Sequence, residues 1–418
     1  MREHFVDLHF RWSPYVPAGP VAIPAGLAED LSSAALRLLA LLDRAALELA
    51  PTPAARHLAL GLDEDLLPLY QSQAFEEKYA AAVARPDVIL TEDGWRFIEF
   101  NVGGAVGDPI YVDLFNSFWR QVLAPSWTSS MVLDSSLDLR ADMLRQVAEE
   151  LRLEPSVALI GCAQDINLTN MRYYDLEVDH LRKQGFEASY YEADDYVAEL
   201  DRTGRGAPLG IQRFMIQDWV DQERSIDAMI RTRATPIALI APQSSEHSGN
   251  KRLLAALSEG TPWMSAADRS FVDQYVPWTR EIVDHAVSYE GASRSLLTLL
   301  LEQQERFVIK RSNSGSGHGV HLGWTTPEPL WRELIQKALA AGTWVVQERA
   351  ESVPIRTAVI DTETSAWSET EAPAIFGPMI FGGKVGGCFV RYDTAATDKM
   401  LTLALGSVLM SSACWPRR

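Results

Sequence analysis

The stretch RPDVILTEDGWRFIEFN, residues 85–101, decides how the rest of the chain is read. Val88-Ile89-Leu90 is a short apolar run, Glu92-Asp93-Gly94 supplies a turn, and Trp95 to Asn101 returns with aromatic and β-branched residues. That pattern predicts a β-hairpin. Asp87 falls at the start of the first strand, and Glu99 and Asn101 fall at the end of the second. Side chains two apart on a strand share a face, and an antiparallel return can bring Asp87 beside them. Three hard oxygen donors on one rigid face, with Arg85 next to them, are what a magnesium–phosphate site requires. The plain alternative is a solvated hairpin with ordinary surface carboxylates.

At 418 residues the chain exceeds one ordinary core, so two or three subdomains are expected. Hydrophobic content of 47% with 22% charged residues fits a globular protein. A net charge of -18 argues against a general nucleic-acid binder, while leaving room for a local basic pocket that takes a nucleotide. Cys162, Cys388 and Cys414 are far apart and form no CxxC pair, so a disulfide framework or structural zinc site is not expected, and a cytoplasmic location fits. The N-terminus lacks an apolar signal core. Leu36–Leu42 and Leu401–Cys414 are the longest apolar stretches, short of the roughly 20 residues a membrane span needs, so each is expected in a core.

In chain order, residues 1–26 read as an irregular lead-in and Leu27–Ala50 as a helix, closed by Pro51 and Pro53. Phe75–Val83 reads as a helix running up to Arg85-Pro86. After Asn101, Gly103, Gly104 and Gly107 suggest close backbone approach to something, or a simple loop. Leu137–Leu151 reads as an amphipathic helix with Asp138, Arg140, Asp142, Arg145, Glu149 and Glu150 on its wet face. Ser156–Gly161, a helix over Tyr173–Gln184, Phe186–Tyr191, a helical Asp221–Ile230 and Pro236–Ile240 form a β-α-β rhythm, read as a small doubly wound α/β unit. It contains no GxGxxG.

A strand over Arg306–Lys310 runs into RSNSGSGHG, residues 311–319. A strand ending in lysine before a Ser/Gly loop can aim backbone N–H groups and one ammonium at phosphates, although the loop lacks the GK[ST] of a Walker A sequence. Strands over Trp344–Glu348, Ile375–Phe381 and Gly387–Tyr392 follow.

Together these segments resemble the ATP-grasp ligases, in particular the circularly permuted group that includes glutathionylspermidine synthase. The resemblance rests on Arg85-Pro86-Asp87 with Glu99-Phe100-Asn101, on Asn250-Lys251 before a Leu-rich helix, and on Val308-Ile309-Lys310 with its loop. Val345-Val346-Gln347-Glu348 and a strand pair ending in Arg391 complete it. In ordinary members the lysine strand precedes Glu-x-Asn; here Glu99 comes about two hundred residues before Lys310, the permuted order. The loop departs from the family in lacking Lys-Pro and Arg-Glu-Gly, and no amidase-like extension is present in the sequence.

The resemblance implies an α/β (α+β) ATP-grasp fold, with residues 1–135 carrying the hairpin, an inserted α/β subdomain over 136–260, and the lysine strand and loop in 261–418. It implies that ATP phosphorylates a carboxylate and an amine attacks the acyl phosphate. Asp87, Glu99 and Asn101 would ligate Mg2+, and Arg85 and Arg391 would stabilise the transferring phosphoryl group. Lys251 and Lys310, with Ser312, Ser314, Gly315, Gly317 and Gly319, would hold the phosphates, and Gln347 and Glu348 would sit by adenine and ribose. Expected partners are a small carboxylate and a small amine, such as an amino acid or short peptide, with neither nucleic acid nor membrane; a homodimer stays open. Plain readings stand beside these. Lys251 as a helix-surface lysine, Arg391 paired with Asp393 or another carboxylate, an exposed His318, and Trp278 and Trp344 as core or interface residues are the residue-level ones. Competing functions are a small-molecule kinase on the same site and a non-catalytic nucleotide-binding protein.

Overall fold

The computed structural model describes residues 14–70, 75–107, 109–161, 172–221, 223–315, 317, 319–394 and 409–417. His318, Cys162 and the first part of Leu401–Cys414 lie outside them. The fold is mixed α/β, built on several sheets.

The largest sheet holds the hairpin. Its order runs Val21–Ala22, Leu409–Pro416, Lys384–Tyr392, Ala374–Phe381, Val83–Thr91, Gly94–Val102. The first hairpin strand is therefore interior, and Asp87 lies in its middle, because pairing starts at Val83. The expected helix over 75–83 shrinks to one turn, Glu76–Tyr79. The helix Ala25–Leu49 lays Leu31, Leu38 and Leu42 on one face of the sheet, against Val88, Phe97, Phe376 and Val390.

Pro86 sits where a ladder donor would be missed, yet the fold tolerates it. Pairing between Val83–Thr91 and Ala374–Phe381 is broken across residues 85–87, and Ala374–Phe381 has a bulge there, between Pro378 and Ile380. Opposite the gap, a Cβ on Gly377 would come within 3.0 Å of Arg85 Cδ. A glycine at 377 makes room for the Arg85 side chain.

A second bulge sets the polarity of the hairpin. Asp87 pairs with Glu99 but Val88 pairs with Phe97, so Ile98 is an extra residue. Strict alternation would put residue 99 on the face of Trp95 and Phe97. The bulge shifts the period, so Trp95, Phe97, Phe100 and Val102 are buried while Glu99 and Asn101 lie on the other, half-exposed face.

A four-stranded all-parallel sheet has the order Glu187–Glu192, Ser156–Gly161, Leu209–Gln212, Ala238–Leu239. Helices Ser136–Leu151 and Arg172–Lys183 cover the face of Val157, Leu159 and Ile211. Helices Ala193–Thr203 and Asp227–Arg233 cover the face of Ala158, Ile160 and Leu239. The strands are buried on both faces, which is why they read as continuous apolar runs. The expected single helix over 221–230 is two, Ile216–Asp221 and Asp227–Arg233.

Arg140 corrects the reading of Leu137–Leu151. It is 1% exposed and lies among buried groups, not on the wet face. Its partner is Glu177, equally buried, on the neighbouring helix.

The last sheet, antiparallel throughout, has the order Thr279–Glu281, Trp344–Glu348, Phe307–Arg311, Val320–Leu322. Helices Leu296–Glu302 and Glu328–Ala341 bury one of its faces through Phe307, Ile309, Trp331 and Val346. Trp344 belongs to this core and Trp278 packs against it. Lys310 and Gln347 project from the opposite face. Among the described residues no helix is long and apolar enough to cross a membrane.

Candidate functional site

Glu99 and Asp87 are directly opposed across the hairpin, as are Asn101 and Arg85. Asn101 Nδ2 donates to the Arg85 carbonyl at 3.1 Å, which leaves Oδ1 as the atom that could meet a cation. Arg391, from the strand Lys384–Tyr392, places Nη2 2.7 Å from Asp87 Oδ2, and Arg85 Nε lies 3.7 Å from Asp87 Oδ1. The plain reading of Arg391, a pairing with Asp393 or another carboxylate, is met by Asp87. Burial alone would push the Asp87 carboxyl up, but the guanidiniums of Arg391 and Arg85 hold it below its ordinary value.

Lys310 reaches across from the other sheet. Its Nζ donates to the Ile98 carbonyl at 3.0 Å and to Gln347 Oε1 at 2.7 Å. Ile98 is the bulged residue, so the same irregularity that turns Glu99 outward also offers Lys310 an acceptor. Gln347 is fixed in turn by donating to Thr279 Oγ1 at 3.1 Å. Burial, opposed by Glu99 and Asp87 and aided by the Lys251 charge, lowers the Lys310 ammonium to about 8.

Lys251 is no surface lysine. At 4% exposure it begins the helix Lys251–Glu259, capped by the Asn250 side chain on the Arg252 N–H. Its Nζ lies 3.1 Å from Glu99 Oε1 and donates to the Ser314 carbonyl at 2.7 Å, while its backbone N–H donates to the Ser312 carbonyl at 3.1 Å. The Ser/Gly loop is therefore anchored on Lys251. Ser312 Oγ is buried and without a hydrogen-bond partner, Ser314 Oγ donates to the Arg311 carbonyl at 3.3 Å, and a Cβ on Gly315 would come 3.3 Å from the Met215 sulfur. Gly317 and Gly319 both have positive φ; at 319 a Cβ would also strike the Arg311 side chain.

Glu348 is the expected residue that stands apart. Strand alternation puts it on the face away from Lys310, where Oε1 accepts from Tyr289 Oη at 2.7 Å and from Arg306 Nη2 at 2.8 Å.

Four cations, Arg85, Lys251, Lys310 and Arg391, thus gather around two carboxylates in a chain of net charge -18. That local excess suits a polyanion. Among the described residues no group of three or more His, Cys, Asp or Glu side chains could hold a metal. The expected set has only two carboxylates and an amide, yet its chemistry suits a hard cation. Asp87 Oδ1 is buried and accepts no hydrogen bond, so it retains bonding capacity.

The spacing of Trp95, Phe97 and Phe100, two then three, is the sequence signal for the bulge that simple strand alternation misses. Thr279, which holds Gln347, carries no sequence signal of its own.

No protein-family model and no characterised protein's sequence matches the chain. Its fold is nonetheless shared with a solved glutathione synthetase-like protein. A glutathione synthetase-like effector from Globodera pallida, in apo form, matches with a TM-score of 0.59 at 13% identity, over 96% of this chain and 89% of that one. A protein of Methylobacillus flagellatus KT, described as a gamma-glutamylcysteine synthetase, matches over 77% of each chain at 13% identity with a TM-score of 0.41, too distant to bear weight.

Proposed function

We propose that the protein is an ATP-dependent carboxylate–amine ligase with a circularly permuted ATP-grasp fold, forming an amide through an acyl phosphate on a small amino-acid-like substrate. The observation that carries this reading is convergence. Lys251, Lys310, Gln347 and Arg391, spread over 140 residues of chain, meet one hairpin end bearing Asp87, Glu99 and Asn101. The shared glutathione synthetase-like fold supports it.

In this reading Asp87, Glu99 and Asn101 hold Mg2+, which would screen triphosphate charge and fix the phosphate oxygens. Lys310 and Lys251 bind phosphates and give up their present partners to do so. Arg85 and Arg391 orient the carboxylate and stabilise charge on the transferred phosphoryl group, a role for which a planar fork suits better than an ammonium. The loop over 312–319 excludes water, which would otherwise hydrolyse the acyl phosphate. Gln347 holds Lys310 in register for the nucleotide.

The test is ADP release from ATP and magnesium over pools of carboxylates and amines, with mass analysis of products. An amide formed only when both substrates are present is expected. ADP released without an amine, with a stable phosphorylated product, overturns the ligase in favour of a kinase.

A further inference from the structure

Arg213 directly follows the parallel strand Leu209–Gln212, and its backbone N–H donates to the Ile160 carbonyl at 2.8 Å. It therefore stands at the carboxyl end of the parallel sheet. Its guanidinium reaches out of that unit into the loop that leaves Asn101. Nη1 donates to both the Gly104 and the Val106 carbonyls at 2.8 Å, and Nη2 to Tyr173 Oη at 3.2 Å. Nε faces Glu177 Oε2 at 3.2 Å, and Glu177 also pairs with Arg140. All three charged side chains are buried.

The loop is seated from both sides. Gly104 lies flush on the strand end, where a Cβ would come within 2.5 Å of the Gln212 carbonyl oxygen. That is the close approach implied by its glycines. Gly103 donates its N–H to the Val83 carbonyl at 2.9 Å, and Arg85 Nη1 donates to the Gly107 carbonyl at 3.4 Å. One arginine of the site and one arginine of the parallel unit thus grip the same few residues, immediately after Asn101.

We propose that Arg213 is a positioning residue: by holding the Gly104 and Val106 carbonyls it sets where Asn101 and Arg85 stand. This rests on the nucleotide–magnesium reading of the hairpin. Arg140 supplies the control, because it shares Glu177 but touches none of the loop carbonyls, stacking instead over Phe381 at 4.8 Å. Arg213→Met and Arg140→Met each leave one buried Arg–Glu pair, so a role confined to the ion cluster makes them equivalent in metal affinity and loop exchange.

The experiment compares both variants for thermal midpoint, for affinity toward Mn2+ with ADP, and for hydrogen exchange of the Gly103 and Val106 amides. Both are expected to lower the midpoint similarly. Arg213→Met is expected to weaken Mn2+–ADP at least tenfold and to speed exchange at 103 and 106 at least tenfold, with Arg140→Met within twofold of the parent in both. Equal effects of the two variants, or none from Arg213→Met, overturn the proposal. Gly104→Ala, which pushes the loop off its seat and leaves the ion cluster whole, should reproduce the Arg213→Met result should that variant not fold; parent-like behaviour overturns it. If the parent protein itself binds no Mn2+–ADP, the ligase reading falls, while the exchange rates still decide the clamp.

Discussion

Two clusters of charged side chains among the described residues are built to opposite ends. Arg140, Glu177 and Arg213 form a closed set: Glu177 lies between two guanidiniums, and Arg213 spends its remaining donors on carbonyls and Tyr173. Burial would push the Glu177 carboxyl up, but the two arginines hold it below its ordinary value. Around Asp87 and Glu99 the partners are looser. One lysine is shared with a loop carbonyl, and another leans on a bulged backbone. A closed cluster fixes geometry, whereas an open one keeps charges that can be handed to an incoming ligand.

Breaking the closed cluster should have the largest effect. Glu177→Gln leaves two buried guanidiniums with no countercharge, at a cost of about 3–5 kcal/mol, read as a lower denaturant midpoint. A change under about 1 kcal/mol would show that the triad is not needed for stability. Asp87→Asn makes the matching cut in the open cluster. It should leave the midpoint within about 1 kcal/mol of the parent but lower magnesium-dependent ADP formation by about a hundredfold, as for a lost electrostatic group at a reacting centre. Retained turnover would remove Asp87 from the metal set.

The contrast also explains what the sequence made legible. Buried parallel strands such as Ser156–Gly161 announce themselves, because both faces need apolar residues. The hairpin, Lys310 and Trp344–Glu348 were legible for a related reason: short polar signals sit at the ends of strong strand patterns. Arg140 was not. Its charge fits a wet helix face equally well, and only Glu177, 37 residues later, makes burial tolerable. The bulge at Ile98 shows in the sequence only as the Trp95–Phe97–Phe100 spacing; Glu99 and Asn101 share a face with or without it, and only the choice of face depends on it. Short strands such as Thr279–Glu281 have no periodic pattern strong enough to stand out from the loops around them, whereas the helix Pro109–Val122 carries one, with Ile110, Phe115 and Trp119 on its buried side.

A smaller effect separates the two clusters by pH. Burial lowers the Lys310 ammonium to about 8 from an unfolded value of 10.5, so below pH 8 the folded protein holds a charged lysine at a cost. The unfolded chain binds the extra proton between those values, and this group's contribution to stability therefore rises with pH across that window. At pH 7 a shift of that size corresponds to about 3 kcal/mol, offset by about 1–2 kcal/mol for the Ile98 and Gln347 acceptors that Lys310→Met would strand. Lys310→Met should thus be about 1 kcal/mol more stable than the parent at pH 7, with the gap closing by pH 10, while its affinity for ADP falls about tenfold. A variant no more stable at pH 7 would show that the ammonium is not strained by its burial.

The smallest effect concerns the border of the open cluster. Gln347 and Glu348 are neighbours in sequence, but strand alternation sends them to opposite faces. Gln347 is 2% exposed and bonded to Lys310, whereas Glu348 Oε1 is held by Tyr289 and Arg306 on the side of the Phe307 core. Gln347→Leu removes the acceptor from Lys310 and should weaken ADP binding several-fold. Glu348→Gln keeps an oxygen for Tyr289 and Arg306 and should change ADP affinity by less than about threefold, about 0.7 kcal/mol. Calorimetric titration of both variants decides the border. A larger loss from Glu348→Gln would mean that its side chain leaves Tyr289 and Arg306 when nucleotide binds, and that the open cluster extends around the strand end.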